Sequence, residues 1–455
     1  MKNYSSTLVL LFLFVANFSF AQINTSLTKR TPTGKIRCLT NEYENYLRTN
    51  NPDRATTEEF QNWISPKIEE LKKKRLTQKT TTIITIPVVI HIIHNGDAIG
   101  VNENISDAQA LSQITVLNQD FRRMINTPGY NTNAVGADIE IEFCLAQRQP
   151  DGITPTNGIN RIQRSAATYS TLAATENMKV DTQWDPNKYF NIWTVYFSDN
   201  TNAEMKGALG YAQPPSNSGL SGLTNSNNAN TDGLVVDFRN FGSEDIAPGP
   251  YSDSYKKGRT ATHEIGHCLG LLHIWGDGYG NEFNNNPDCS ATDYCADTPQ
   301  AGWEHYQCGI FDTCPLNPDR DMNENYMDYT PDECMNVFTL DQKNRILAVM
   351  NNSPRRKELK TSDACSPPLA IKDFDMLNQI QLYPNPSENV LNISIPELQA
   401  LDSLLIYNAI GQLIENKDIV NSSNLSIDIS NYSKGVYFIK IIKDNTSKTI
   451  RFIKK

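Results

Sequence analysis

The stretch HEIGHCLGLLH, from His263 to His273, holds three imidazoles and a carboxylate at spacings that suit metal chemistry. On a helix, His263 and His267 leave the same face because they are four residues apart, so both can bind one ion. Glu264 stands beside the first of them, placed to take a proton from a water bound to that ion. Gly270 permits a backbone conformation closed to larger residues, which lets the chain turn back and deliver His273.

Three histidines and a water form an open, catalytic zinc site, whereas structural zinc sites are closed by four protein ligands. Zinc lowers the pKa of its bound water to near 7. A bare HExxH pattern can occur by chance, but a glycine and a third histidine at fixed offsets make the pattern specific. The sequence therefore predicts zinc held by His263, His267 and His273, with Glu264 as the general base.

The beginning of the chain is typical of an exported protein. Lys2 and a short apolar run precede small residues at Ser19 and Ala21, which predicts a signal peptide over residues 1–21. The run is too short to span a membrane, and no later stretch qualifies, so we expect no transmembrane anchor. The net charge of −10 and the short basic runs argue against a nucleic-acid partner.

Export places the nine cysteines where disulfides persist. The number is odd, and Cys38 lies far from all the others. Without Cys38 an even set remains, which is compatible with four bridges. The sequence alone does not choose among the roughly 105 pairings that such a set allows.

The pattern along the chain predicts two folded parts. Residues 22–80 are polar and end in the basic run Lys72–Arg75, which is either a solvated helix end or an exposed cleavage site. Residues 81–351 read as one mixed α/β (α+β) domain, in which a buried strand after Thr81 is followed by a helix that Ser106 and Gln109 begin as a capping box. Further strands are predicted within residues 138–147, 190–198 and 232–241. Residues 352–375 read as a linker, and residues 376–455 as a small all-β sandwich.

The extended histidine motif is the metzincin signature, and "ENYMDYTPDECM" places Met327 where it resembles the Met-turn of that clan. Together with "CADTPQ" and "NYMDY", residues 36–350 resemble the pappalysin family of metalloendopeptidases. The resemblance implies a two-lobed catalytic domain with a deep cleft, and protein or peptide substrates lying along an edge strand at "GALGYAQ". It also implies that Tyr329 stabilises the tetrahedral intermediate, as a phenol near zinc can; a packed aromatic is the alternative.

The same resemblance implies a latent proenzyme. Cys38, in an Arg-Cys context, would take the position of the zinc-bound water until a pro-segment over residues 22–80 is removed. The alternatives are a free thiol or a bond to one of the other cysteines. The family's crossed pairing would give disulfides Cys289–Cys314 and Cys308–Cys334. It leaves four cysteines unassigned: Cys144, Cys268, Cys295 and Cys365.

Two further expectations also come from the resemblance. The loop "CSATDYCADTP" would bind calcium through Asp293, the Ala296 carbonyl and Thr298, because hard oxygen ligands suit that ion; a hydrogen-bonded turn without metal is the alternative. Glu333 would lie near the primed-side pocket and favour arginine or lysine after the scissile bond; an exposed acidic side chain is the alternative.

Residues 375–455 resemble the sorting domain of the type IX secretion system, which implies contact with the secretion machinery and an extracellular or cell-surface location. A substrate-binding sandwich is the alternative. His91 and His94, in or near a strand, are predicted to be structural. The sequence thus predicts a secreted zinc endopeptidase proenzyme. Its rivals are a non-catalytic surface adhesin and an amidase of cell-wall peptides.

Overall fold

The chain forms two compact units in a computed structural model, one ending at Ser366 and one beginning at Pro367. Each unit is described by itself. The predicted signal peptide lies outside the residues that the structure describes. These are residues 30–31, 33–77, 82–217, 231–252, 254–278, 280, 285–368, 380–394, 403–418, 424–443 and 446–455.

The first unit is built on a mixed six-stranded sheet with the order β2-β1-β4-β6-β5, in which β3 also pairs with β1. All pairs are parallel except β5 with β6, so β5 is an antiparallel edge strand. Strand β1 is long enough to pair with β2 along its first half and β3 along its second. The strands are β1 Ile84–His94, β2 Ile141–Leu145, β3 Ile159–Gln163, β4 Phe190–Val195, β5 Gly210–Ala212 and β6 Leu234–Asp237.

Among the described residues after 82, four α-helices accompany this sheet: α3 Asp107–Phe121, α4 Leu172–Thr182, α5 Arg259–Cys268 and α6 Leu340–Asn352. As predicted, the Ser106 side chain caps α3 by accepting from Gln109 N. The second half of the predicted capping box is wrong, because the Gln109 amide donates instead to the carbonyls of Phe238 and Phe241. These tertiary bonds tie α3 to the segment after β6.

The predicted pro-segment forms two helices, α1 Thr40–Asn50 and α2 Thr57–Thr77. Apolar residues in and just before α1 pack with residues of β4 and β5 in one hydrophobic core. Ile64 and Ile68 of α2 pack against α6. The basic run lies in the last turns of α2, where Lys72 pairs with Asp341 and Arg75 with Glu140. The run is therefore a helix end that ion pairs tie to α6 and to the residue before β2, and cleavage there stays a prediction.

The predicted linker begins too early. Residues 352–366 belong to the first unit, because Cys365 forms a disulfide with Cys144 of β2 and Ala364 is buried against Val89 and Tyr189. Of the remaining predicted linker, residues 369–375 lie outside the described residues.

All nine cysteines are described, and they form three disulfides rather than four. Besides Cys144–Cys365, these are Cys289–Cys314 and Cys308–Cys334, the two pairs that the resemblance implied. Cys38, Cys268 and Cys295 are free and buried. The expectation of four bridges is wrong because Cys268 and Cys295 are packed separately as small buried side chains.

The second unit consists of two antiparallel sheets, with the orders β10-β9-β12-β13 and β11-β8-β7. Alternating apolar residues of both sheets, among them Ile393, Ile406 and Ile439, form its own core. This is the all-β region that the sequence predicted. Its strands are β7 Gln381–Tyr383, β8 Val390–Ser394, β9 Ser403–Asn408, β10 Leu413–Asp418, β11 Asn424–Asp428, β12 Gly435–Lys443 and β13 Thr446–Lys454.

Candidate metal centre

Helix α5 carries the motif and is buried along its whole length. It begins after Gly258, whose φ is +84°, and Asp332 Oδ2 accepts from the first backbone N–H groups at Lys257 and Arg259. It ends before Gly270, whose φ of +91° is the left-handed conformation that favours glycine. The chain then reverses and brings His273 back beside the helix.

The three imidazoles converge on one point. Nε2 of His267 lies 3.2 Å from that of His263 and 3.1 Å from that of His273. Each Nδ1 donates elsewhere: His263 to the Tyr326 carbonyl, His267 to the Leu271 carbonyl and His273 to the Asp277 carboxylate. Burial lowers the pKa of His263 well below its usual value, and that of His267 to about 3. The three bare Nε2 atoms therefore suit zinc, which binds neutral imidazoles.

Cys38 of the predicted pro-segment completes this cluster. Its Sγ and one ring nitrogen of each histidine lie within 4.8 Å of one another, and all four residues are buried. A Cys-His₃ donor set with this spread can enclose one tetrahedral ion. Among the residues that the structure describes, no other group of three or more such side chains meets the same spacing.

Glu264 lies against the same point. Its Oε2 accepts from the Thr40 hydroxyl at 2.8 Å and from the Cys38 thiol at 3.5 Å, while its buried Oε1 has no hydrogen-bond partner in the described structure. Burial raises the pKa of Glu264 to about 7. The carboxylate approaches the edge strand closely, since a side chain at Gly210 would come within 3.2 Å of Glu264 Cγ. This is a carboxyl group that can both accept and return a proton near neutral pH.

Met327 and Tyr329 lie beneath and beside the histidines. Met327 Sδ packs against Gly266 of the helix and fills the space that a Cβ at that position would need. The Tyr329 ring packs 5.8 Å from His263 and 4.9 Å from His273 between ring centroids. Burial raises the pKa of Tyr329 well above its usual value, so its hydroxyl stays protonated and can donate.

The predicted pro-segment runs along the edge strand into this centre. Ile36 forms a parallel bridge with Ala208, Leu39 N donates to the Gly210 carbonyl at 3.0 Å, and Ala212 N donates to the Thr40 hydroxyl at 2.9 Å. The strand is the one that the resemblance assigned to substrate. Here it is covered by residues 36–40.

Arg37 fills a fully buried pocket beside α5. Its guanidinium donates to Thr260 Oγ1 at 2.8 Å, lies 3.7 Å from Asp332 Oδ1 and stacks on the Tyr255 ring. Asp332 is buried, whereas its neighbour Glu333, the residue expected near this pocket, is exposed. Asp332 is thus the acidic group that faces Arg37.

The predicted calcium loop lies apart from the histidines. Asp293 and Thr298 line one cavity together with Asp297 and Asp319, and Ala296 is exposed beside them. Asp293 Oδ2 and Asp297 Oδ1 are buried and have no hydrogen-bond partner among the described residues. Burial raises the pKa of Asp293 to about 7. Unpartnered buried carboxylate oxygens on a short loop are suited to a hard cation.

Three supporting residues could not be found by motif. Asp277 orients His273, Asp332 joins the helix start to the arginine pocket, and His305 holds the loop of Met327. His305 donates from Nδ1 to Asp328 at 2.6 Å and from Nε2 to Asp321 at 2.9 Å. Burial alone would lower its pKa, but the two carboxylates raise it to about 10. Only the four-residue spacing of His273 and Asp277 was a signal in the sequence.

His91 and His94 are separate from the centre. His91 is buried between Asn160 and Asn191, and burial lowers its pKa to about 4. His94 ends β1 and its Nδ1 accepts from Gly96 N. Both contacts are structural.

A mixed sheet, a buried histidine helix and a Met-bearing turn beneath it define a metallohydrolase of the metzincin type. Comparison with known proteins agrees. Residues 174–351 match the family model described as pregnancy-associated plasma protein-A, and residues 381–455 match the secretion system C-terminal sorting domain.

Extracellular metalloproteases of fungi are similar to this chain. That of Arthroderma benhamiae is 27% identical over 300 residues, covering 65% of this chain and 86% of the relative. One from Colletotrichum graminicola is 31% identical over 264 residues, covering 58% and 75%.

Solved structures from Tannerella forsythia are similar too. Mature mirolysin in complex with a cleaved peptide is 38% identical, with a TM-score of 0.51, covering 62% of this chain and 97% of that one. A substituted promirolysin is 34% identical, with a TM-score of 0.52, covering 71% and 97%.

The chain belongs to the pappalysin family and is a metalloendopeptidase with a type IX sorting domain. Its relatives and its sorting domain point to secretion. Within the described ranges, no helix is long and apolar enough to cross a membrane.

Proposed function

We propose that the protein is a secreted zinc endopeptidase made as a latent proenzyme. The observation that carries this proposal is the convergence of three histidines with a cysteine from the pro-segment. His263, His267 and His273 hold the ion, and zinc, when bound, polarises the attacking water and the scissile carbonyl. Glu264 takes the proton from that water and later returns it to the leaving amine. Tyr329 donates to the developing oxyanion.

Latency rests on Cys38 and its neighbours. In the proposed latent state, the Cys38 thiol would be the fourth ligand of a bound zinc in place of water, and the Thr40 hydroxyl donates to Glu264 Oε2. Residues 36–40 also cover the edge strand, so substrate cannot lie there. The proposed arrangement is a signal peptide over residues 1–21 and a pro-segment over residues 22–80. In this proposal the catalytic domain begins at residue 81 and extends to Ser366, an end that the disulfide of Cys365 supports.

A preference for arginine or lysine after the scissile bond is the finer part of the proposal. It is supported by Arg37, which lies one residue before Cys38 and whose charge faces Asp332 Oδ1. That oxygen has no hydrogen-bond partner in the described structure, so a substrate cation entering after release of the pro-segment would meet it unpaired. We therefore assign the preference to Asp332 rather than to the exposed Glu333.

Calcium at Asp293, the Ala296 carbonyl and Thr298 is also proposed, and the unpartnered oxygen of Asp297 supports a fourth oxygen ligand. A ligand at about a hundred times its dissociation constant stabilises a protein by about 2.7 kcal/mol. Calcium should therefore raise the melting temperature of the zinc-loaded protein by several degrees. Asp293→Asn should lose most of this shift, and Asp319→Asn should lose less. Equal melting temperatures in calcium and in a calcium-selective chelator would exclude the site.

The test of the main proposal uses the full chain after processing. It would be incubated with a diverse peptide pool and with cell-wall fragments, with and without a zinc chelator, and the cuts mapped by mass spectrometry. We expect chelator-sensitive cuts in peptides, lost in Glu264→Ala and reduced by about 10² in Tyr329→Phe. Cutting of cell-wall fragments alone would favour the amidase. Full activity of Glu264→Ala would remove that residue from its assigned role.

A further inference from the structure

A second pocket of the cleft holds another pro-segment side chain, Tyr43. It lies one helical turn after Thr40, on the opposite side of Cys38 from Arg37. Tyr43 is fully buried, and its ring lies 4.8 Å from that of Tyr211 on the edge strand. The pocket therefore borders β5, along the path that substrate would follow.

The base of this pocket is polar and lies on α4. The Tyr43 hydroxyl donates to Glu176 Oε2 at 2.8 Å and accepts from Lys179 Nζ at 3.3 Å. Lys179 and Tyr211 both donate to the other oxygen, Glu176 Oε1, at 2.9 and 2.8 Å. Gln213 Oε1 lies 3.3 Å from the same hydroxyl. No other described group donates to Glu176 Oε2, so this oxygen has the Tyr43 hydroxyl as its hydrogen-bond donor.

A buried ion pair is weak evidence for stability, because desolvation of both charges offsets their attraction. The pair formed by Lys179, fully buried, and Glu176 lies instead at the end of a slot bordered by aromatic rings, because Lys179 Nζ faces those of Tyr211 at 5.1 Å and Trp193 at 5.4 Å. Such a slot selects a flat side chain with a hydroxyl donor at its tip. An aliphatic or phenylalanyl side chain would leave Glu176 Oε2 without a donor, and an acidic one would meet a second carboxylate.

We propose that the pocket lined by Glu176, Lys179, Tyr211 and Gln213 is a binding site for a tyrosyl side chain, filled by Tyr43 in the proenzyme and by a substrate tyrosine after the pro-segment has left. The inference rests on the proposed endopeptidase function. It adds a determinant on the side of the scissile bond opposite the arginine pocket. All four lining residues belong to the catalytic domain and remain after processing.

The test compares peptides on the processed, zinc-loaded enzyme. Each peptide carries arginine after the scissile bond and alanine elsewhere. Tyrosine, phenylalanine or O-methyltyrosine is placed at each position before the bond in turn. At one position, kcat/KM should be about tenfold higher for tyrosine than for phenylalanine, as expected for a hydrogen bond to a charged acceptor. O-methyltyrosine, which lacks the donor, should gain nothing over phenylalanine.

The variant Glu176→Gln should reduce the ratio of kcat/KM for tyrosine to that for phenylalanine toward one. Its matched control is Glu244→Gln, which removes an exposed carboxylate paired with Lys256 and should leave the ratio unchanged. Suppose that the enzyme cleaves the diverse peptide pool but gives equal kcat/KM for tyrosine and phenylalanine peptides at every position. That result would overturn the tyrosine subsite and leave the proposed endopeptidase function standing. This comparison needs no variant, so misfolding of Glu176→Gln cannot obscure it. Failure to cleave any peptide with zinc present would overturn both.

Discussion

The arginine pocket allows the most quantitative prediction, and the perturbation is Asp332→Asn. The asparagine side chain keeps the shape of the aspartate and an oxygen that can accept from Lys257 N at the start of α5. It loses the negative charge that lies 3.7 Å from the Arg37 guanidinium. Two unit charges at that distance attract by about 4 kcal/mol at an effective dielectric constant of about 20. The cost of desolvating the two buried charges offsets part of this attraction. We expect a net loss of about 2 kcal/mol, which is about 30-fold in selectivity.

The assay measures kcat/KM of the processed enzyme on two peptides that differ only after the scissile bond, one with arginine and one with leucine. Their ratio does not depend on how much of the enzyme is active, so partial unfolding of a variant does not affect it. The matched control is Glu333→Gln, which removes the neighbouring exposed carboxylate. The reasoning fails if Asp332→Asn keeps the ratio of the unmodified enzyme, or if Glu333→Gln loses it.

The preference for arginine should also depend on pH, through the carboxyl group of Asp332. Burial raises the pKa of Asp332, and the charges of Arg37 and Arg259 oppose that rise. Release of the pro-segment takes one of these cations away, so the carboxyl group should protonate at a higher pH in the free processed enzyme. The preference for arginine over leucine should therefore weaken as the pH falls, whereas in Asp332→Asn the ratio should not change with pH.

Three further predictions concern the centre and its supports. The full-chain variant Cys38→Ala should cleave a reporter peptide at least about tenfold faster than the unmodified proenzyme, about 1.4 kcal/mol of lost inhibition; equal latency would exclude the switch. Asp277→Ala should weaken zinc binding about 10- to 100-fold, measured by competition with a chelator, because His273 loses its orienting partner. His305→Gln should destabilise the protein by on the order of 3 kcal/mol below about pH 6.5. This difference should shrink as the pH rises toward about 10, where His305 itself loses its proton. Melting curves across that range would test it, and a difference that grew with pH would contradict the assignment of charge.

The parts of the fold that follow from local patterns were predictable. A continuous apolar run predicted β1, Ser106 predicted the start of α3, and alternating short strands predicted the second unit. The spacing of His263, His267 and His273 around Gly270 predicted that the imidazoles converge. In each case the determining interactions lie within one element or one turn.

The features that the sequence did not predict depend on contacts between segments that are far apart in the chain. Cys144 and Cys365 are 221 residues apart, and nothing near either one indicates the other. Glu333 and Asp332 are adjacent, and only the start of α5 decides which of them faces the arginine pocket. The Tyr43 pocket likewise requires Glu176, which no motif connects with the pro-segment.

The disulfide between Cys144 and Cys365 has a consequence for covalent connectivity. The end of the first unit is attached to β2 by sulfur as well as by the backbone, one residue before Ser366. A cut between these two cysteines, for example in the basic stretch at 354–357, would leave the sorting domain attached to the enzyme under oxidising conditions. Only a cut after Cys365 would separate them, so reduction distinguishes a nicked protein from a released one.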